Sequence, residues 1–138
     1  MCHLPAPPTL IVKVVSCCAY LLAGIMENFP VDNEGMPKSL RWQELYRICG
    51  NSSNFLSKLV KVLELISEQK IKEKNMDAIR TLLNEPEVKN IIHVSLAGYQ
   101  IYEYLKIVIP YYDLYRKIAK KEQEYTEILR NLTHEDKN

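Results

Sequence analysis

The stretch PPTLIVKVVSCCAYLLAGIM, residues 7–26, decides the fold. Within it Leu10, Ile11, Val14, Val15, Cys18, Leu21, Leu22 and Ile25 recur at steps of three and four, the period of an α-helix and not the alternation of a strand. Pro7 and Pro8 suit the entry to a helix, because a first-turn residue has no use for the N–H that proline lacks. Lys13 is the only charge in the stretch, so this helix is expected at the centre of the domain with little surface left for water. A run this apolar also invites a targeting reading. Lys13 interrupts it, Pro5, Pro7 and Pro8 precede it, and residues 14–26 are too few to span a bilayer. With no Arg or Lys ahead of the run, a signal peptide is disfavoured as well.

Working outward, helical periodicity continues. Residues 28–40 read as a loop carrying Pro30, Gly35 and Pro37. A short helix over 41–49 puts Trp42, Leu45 and Ile48 on one side, Gly50 stops it, and Asn51-Ser52-Ser53-Asn54 offers N-caps for the next. That next helix turns Phe55, Leu56, Leu59, Val62, Leu63 and Ile66 inward and Lys58 and Lys61 outward. A basic connector over 67–74, with Lys70, Lys72 and Lys74 alternating, leads to a helix marked by Met76, Ile79, Leu82 and Leu83. Asn84 and Glu87, around Pro86, have capping-box spacing. From Val88 one long helical pattern runs to about Leu132, and Pro110 inside it is expected to kink or break it. Beyond Lys117 the texture becomes charged, with Tyr125, Ile128 and Leu132 as a sparse seam that needs a partner helix to cover it.

The expected fold is therefore all-α: a compact five- to six-helix bundle over residues 1–117, with the C-terminal helix continuing over 118–138 into one strand of a coiled-coil stalk. A chain of 138 residues suits one domain, and 47% apolar with 25% charged residues is a globular composition. A net charge of +1 supplies no global field for nucleic acid, so any electrostatic partner must meet a local patch. Among 138 residues only 4 are glycine, and no GxxxxGK[ST] occurs, which excludes a phosphate-loop ATPase from this segment.

Cys2, Cys17, Cys18 and Cys49 form no CxxC pair, and Cys2 with His3 has no second pair to complete a zinc site, so reduced thiols and no metal or cofactor are expected. A thiol or metal enzyme would also lack a base and an oxyanion-type loop. His3, His93 and His134 have no Cys or acidic partner at useful spacing. Asn51-Ser52-Ser53 and Asn131-Leu132-Thr133 match glycosylation acceptors, a pattern without weight in a chain not read as secreted. Trp42, Phe55, Tyr99 and Tyr104 have the spacing of core residues.

The order of these signals resembles the microtubule-binding stalk tip of dynein heavy chains. Pro7-Pro8-Thr9-Leu10-Ile11-Val12-Lys13-Val14-Val15 is similar to the proline pair that ends the family's outgoing stalk strand and opens its first helix. Trp42-Gln43-Glu44, followed by Asn54-Phe55-Leu56 and Leu59, resembles its Trp-led and Asn-Phe-Leu helices. Val94-Ser95-Leu96-Ala97-Gly98 resembles the small-residue start of the fifth helix, and Tyr112-Asp113-Leu114-Tyr115-Arg116-Lys117 the last helix, where the returning strand begins. The anchors span residues 7 to about 121, and the long loop before Trp42 leans toward the axonemal type. The chain departs from the pattern at Glu103-Tyr104, where the family has a basic residue and tryptophan, at Pro110, and at Ile118-Ala119-Lys120, where it has a proline.

The resemblance implies a non-catalytic domain that attaches a minus-end-directed ciliary or flagellar motor reversibly to the α/β-tubulin of microtubules. Its implied setting is the cytoskeleton of the cytoplasm and the axoneme, with neither nucleic acid nor membrane as partner. Carried over, the microtubule-binding residues are Lys13, Lys58, Lys61, Arg116 and Lys117, with Lys70, Lys72 and Lys74 weaker candidates, and the second partner is the outgoing stalk helix of the same heavy chain. Sliding of the two stalk strands by about one helical turn would switch affinity. A generic helical adaptor, docking its terminal helix into a partner's coiled coil, is the alternative.

Overall fold

A computed structural model of the chain describes residues 7–26 and 29–136, with side chains to 134; Cys2, His3 and Pro5 of the sequence reading lie outside the described residues. Five α-helices and one 3₁₀ helix appear in them: α1 (Thr9–Leu22), α2 (Trp42–Cys49), α3 (Ser52–Ser67), α4 (Glu73–Leu83), the 3₁₀ helix Pro86–His93, and α5 (Leu96–Asp136). The only β feature among the described residues is an isolated bridge between Val31 and Pro37.

α1 is the hub that its composition predicts. Val14, Cys17, Cys18, Ala19, Leu21 and Leu22 are buried, and the helix packs against every other helical element. It stops three residues before the apolar pattern does. Ala23 turns to an extended conformation and Gly24 takes φ +84°, a left-handed geometry that a side chain disfavours, so Ile25 and Met26 fold back with their N–H groups on the Leu22 carbonyl.

α2 and α3 form where the sequence places them, but Leu56, expected inward on α3, is 55% exposed. The Asn51 side chain caps α3 by accepting from the Asn54 N–H at 3.2 Å. α3 ends in a Schellman turn: the Gln69 N–H reaches the Ile66 carbonyl and the Lys70 N–H reaches that of Leu65. Gln69 occupies the left-handed position at φ +60°, where glycine is the usual residue. Gln69→Gly is therefore expected to raise unfolding stability by about 1 kcal/mol, the left-handed cost less the extra entropy of an unfolded glycine. Urea denaturation checks this, and an unchanged midpoint would count against it.

The sequence predicted one helix from Val88 onward, and here the structure differs. Pro86 opens a 3₁₀ segment that ends at His93, and Ser95 starts α5 afresh by accepting the Gly98 N–H on its hydroxyl at 3.0 Å. The Asn84/Glu87 capping box does not form; Glu85 and Glu87 turn their carboxylates to Lys13 instead. Gly98 lets α5 approach the 3₁₀ helix, since a Cβ there would stand 2.9 Å from Cδ1 of the fully buried Ile91. Pro110 does not break α5, which stays helical through it to Asp136.

Two contacts fix the course of α1 against α4. The Asn75 amide donates to the Tyr20 carbonyl at 2.8 Å, and Lys13 pairs with Glu85 beyond the other end of α4. The helices are thus antiparallel. Because Arg116 pairs with Glu73 at 2.6 Å, α5 leaves the bundle beside the N-terminus of α4, whereas α1 starts at the opposite end.

Candidate docking surfaces

The five nominated residues fall in three places. Lys13 lies near the start of α1 with its side chain 23% exposed, held by Glu85 and by Glu87 at 2.7 Å. The hydrogen bonds that Lys13 donates to both carboxylates raise its pKa, and the one to Glu87 holds that carboxyl below its ordinary value near 4.5. The sign follows: a depressed carboxylate contributes stability above its unfolded pKa and loses it as pH falls through the folded one. Glu87→Gln is thus expected to lower stability at pH 7 and to lose that difference in acid below about pH 4. Thermal melts of both proteins across pH 3–7 check it; a gap that widens in acid would refute the pairing.

Lys58 and Lys61, one turn apart on α3, share a basin of about 440 Å³ with Lys70 and Lys72. Arg116 and Lys117 line a separate cleft of about 850 Å³ between α5 and the start of α4. Arg116 there bonds Glu73, lies 6.0 Å from the Tyr112 ring centroid, and has its pKa raised by the Glu73 carboxylate first and the Tyr112 hydroxyl second. Arg80 crosses the same cleft to Asp113. Ile71 lines both cavities, so basin and cleft flank the α3–α4 turn at the end from which α5 departs. Lys13, half a bundle away, is not brought together with them.

α5 carries two faces. Tyr102, Leu105, Val108 and Tyr112 are buried against the bundle. Roughly half a turn around, at 100° per residue, stand Ile107, Leu114, Ile118, Tyr125, Ile128 and Leu132, each exposed by 41% or more. Their spacing fits alternate heptad positions, with half-buried Tyr111 and charged Lys121 at the two remaining sites. The stripe thus begins well inside the bundle, at Ile107, where the sequence showed only its last three members.

Of the aromatic residues expected in the core, Phe55 is fully buried, and Trp42, Tyr99 and Tyr104 are half-buried against it. The Tyr104 hydroxyl donates to the Leu59 carbonyl, joining α5 to α3. The thiols of Cys17, Cys18 and Cys49 are free. Burial pushes Cys17 up to about 12 and Cys18 well above its ordinary value, so both stay protonated and poorly nucleophilic at neutral pH. No three His, Cys, Asp or Glu side chains gather among the described residues, and no helix is long and apolar enough to cross a membrane.

No protein-family model, curated protein or solved structure matches this chain.

Proposed function

We propose that this chain is a non-catalytic microtubule-binding module of the dynein stalk-tip type, serving a motor of cilia or flagella. One observation carries the reading: the apolar stripe on the outer face of α5, which spans about 38 Å from Ile107 to Leu132 at 1.5 Å per residue. A stripe confined to the tail would suit any terminal coiled coil. This one extends back along the bundle toward the end at which α1 begins, the path that an outgoing strand would follow to reach Pro7-Pro8. The ordered Trp42 and Asn54-Phe55-Leu56 anchors, which sit on separate packed helices, support the same reading.

Lys13 is engaged by two carboxylates and Arg116 by Glu73, so in this conformation the grip falls to Lys58, Lys61 and Lys117. Exposed lysines attract an acidic lattice through screened charge, giving fast and reversible attachment. Co-pelleting of the full chain with microtubules tests this. Binding is expected at low salt, with a steep decline toward physiological ionic strength of about 0.15 M. A chain that stays in the supernatant at low salt, yet associates with a heptad peptide, is the helical adaptor instead.

A further inference from the structure

The outer stripe of α5 is a heptad seam whose two kinds of position can be told apart. Steps of four and three alternate along it, which sets Ile107, Leu114, Lys121 and Ile128 at d. Tyr111, Ile118, Tyr125 and Leu132 then stand at a. Between Ile107 and Leu132 the flanks of the seam hold three charges. Lys117 and Glu124 lie on the edge that precedes a, and Glu122 lies on the edge that follows d. Lys117 makes no ion pair among the described residues.

This pattern complements itself in one arrangement. Reversing one of two copies brings the same edge of each seam together, as a two-fold axis requires. With the axis near Ala119 and Lys120, Ile107 meets the second copy's Leu132, Leu114 its Tyr125, and Ile118 its Lys121. Lys117 then faces the second copy's Glu124, and Glu124 faces its Lys117. Sliding the copies by one heptad opposes Glu122 to Glu122 and Glu124 to Glu124, or in the other direction Lys117 to Lys117. Each slip sets like charges against one another. A parallel pair fares no better, since it opposes Lys121 to Lys121 inside the seam. In the antiparallel register Lys121 lies over Ile118, with its ammonium turned out toward Glu124 at 3.4 Å.

The bundle leaves room for this partner. It packs on the opposite side of α5, at Tyr102, Leu105, Val108 and Tyr112, so the second copy's tail meets only the exposed face. The two bundles fall at opposite ends of the pair and on opposite sides of it. Six apolar side chains per copy, exposed by 41% to 62%, become covered. At on the order of 100 Å² each, the pair buries roughly 1,200 Å², the lower bound of a specific interface.

We infer that the outer face of α5 docks a second copy of this chain as an antiparallel coiled-coil dimer, registered by Lys117 and Glu124. The inference goes beyond the microtubule reading, which gives the same face to an outgoing strand; a bound second copy excludes that strand. An interface of this size is expected to hold with a Kd on the order of 10 µM, so the dilute chain is monomeric.

Sedimentation equilibrium of the full chain from about 1 to 300 µM tests this, with a monomer–dimer equilibrium expected. Lys117→Glu and Glu124→Lys, both at exposed side chains, should each weaken the dimer about tenfold. Both substitutions in one chain should restore it, and the two single variants, when mixed, should pair with each other.

A chain that stays monomeric at the highest concentration overturns the inference, as does a trimer or larger assembly. Glu124→Lys without effect indicates a parallel pair and overturns the antiparallel one. A double variant as weak as either single one overturns the pairing of Lys117 with Glu124. A dimer that fails to pellet with microtubules refutes the tubulin reading alone; a pelleting chain that never dimerises refutes this inference alone.

Discussion

Replacing Leu105 by alanine is expected to destabilise the domain by about 3 kcal/mol. Leu105 is fully buried between Tyr102 and Val108 on the inner face of α5, the helix that packs on α1, α3, α4 and the 3₁₀ segment. Truncation removes the transfer free energy of the isobutyl group and leaves a cavity that four converging elements cannot all move to fill. Leu114 is the control. It lies nine residues on along the same helix, is 52% exposed on the opposite face, and its replacement by alanine should shift the isolated chain by no more than about 0.5 kcal/mol. Urea unfolding of the two variants separates the faces; similar losses would mean that the outer stripe is buried in solution, as by self-association.

Pro110→Ala should act in the other direction, raising stability by about 2 kcal/mol. A proline within a helix forgoes one hydrogen bond and presses its ring on the carbonyl four residues back, here that of Lys106, at a cost of about 3 kcal/mol. Part of the gain is offset because alanine frees the unfolded chain, by about 0.4–1 kcal/mol. Pro110 is exposed on the outer side of α5, so its removal gives up no core contact. A higher melting temperature with greater helical ellipticity is the expected result. A drop in melting temperature would show that α5 needs the proline for its packing.

These two residues also show how far the sequence could be read. The all-helical class, the central α1, the caps at Asn51 and the projecting α5 were legible because each rests on local chemistry: a 3.6-residue period, a side-chain acceptor, a glycine. Pro110 was read as a break from its neighbours alone. Whether a helix continues through proline depends on what holds its two halves, and Leu105, Val108 and Tyr112 grip the bundle on both sides of it. Periodicity alone runs across the 3₁₀ segment for a related reason, and the start of α5 was marked only by the resemblance at Val94-Ser95-Leu96-Ala97-Gly98.

The candidate site was legible in its ingredients and not in its arrangement. Lys58 and Lys61 could be placed outward from spacing, but nothing local says that Lys70 and Lys72 return to the same basin. Nothing local marks Asn75 for burial. Its burial follows from long-range contacts with Tyr20 and Gly35, which lie 55 and 40 residues away. Lys13 is the only charge on its own stretch of sequence, and its partners Glu85 and Glu87 lie 72 and 74 residues away, beyond the reach of local patterning.

The antiparallel course of α1 and α4 has a mechanical consequence. Thr9 and the stem of α5 stand at opposite ends of the bundle, with α1 and α4 side by side between them. Traction applied through Thr9 against the α5 tail therefore loads their interface in shear, so that many side-chain contacts strain together instead of parting one at a time. A fold arranged in this way resists a steady pull along its long axis, and gives way more readily to a force that peels α5 sideways.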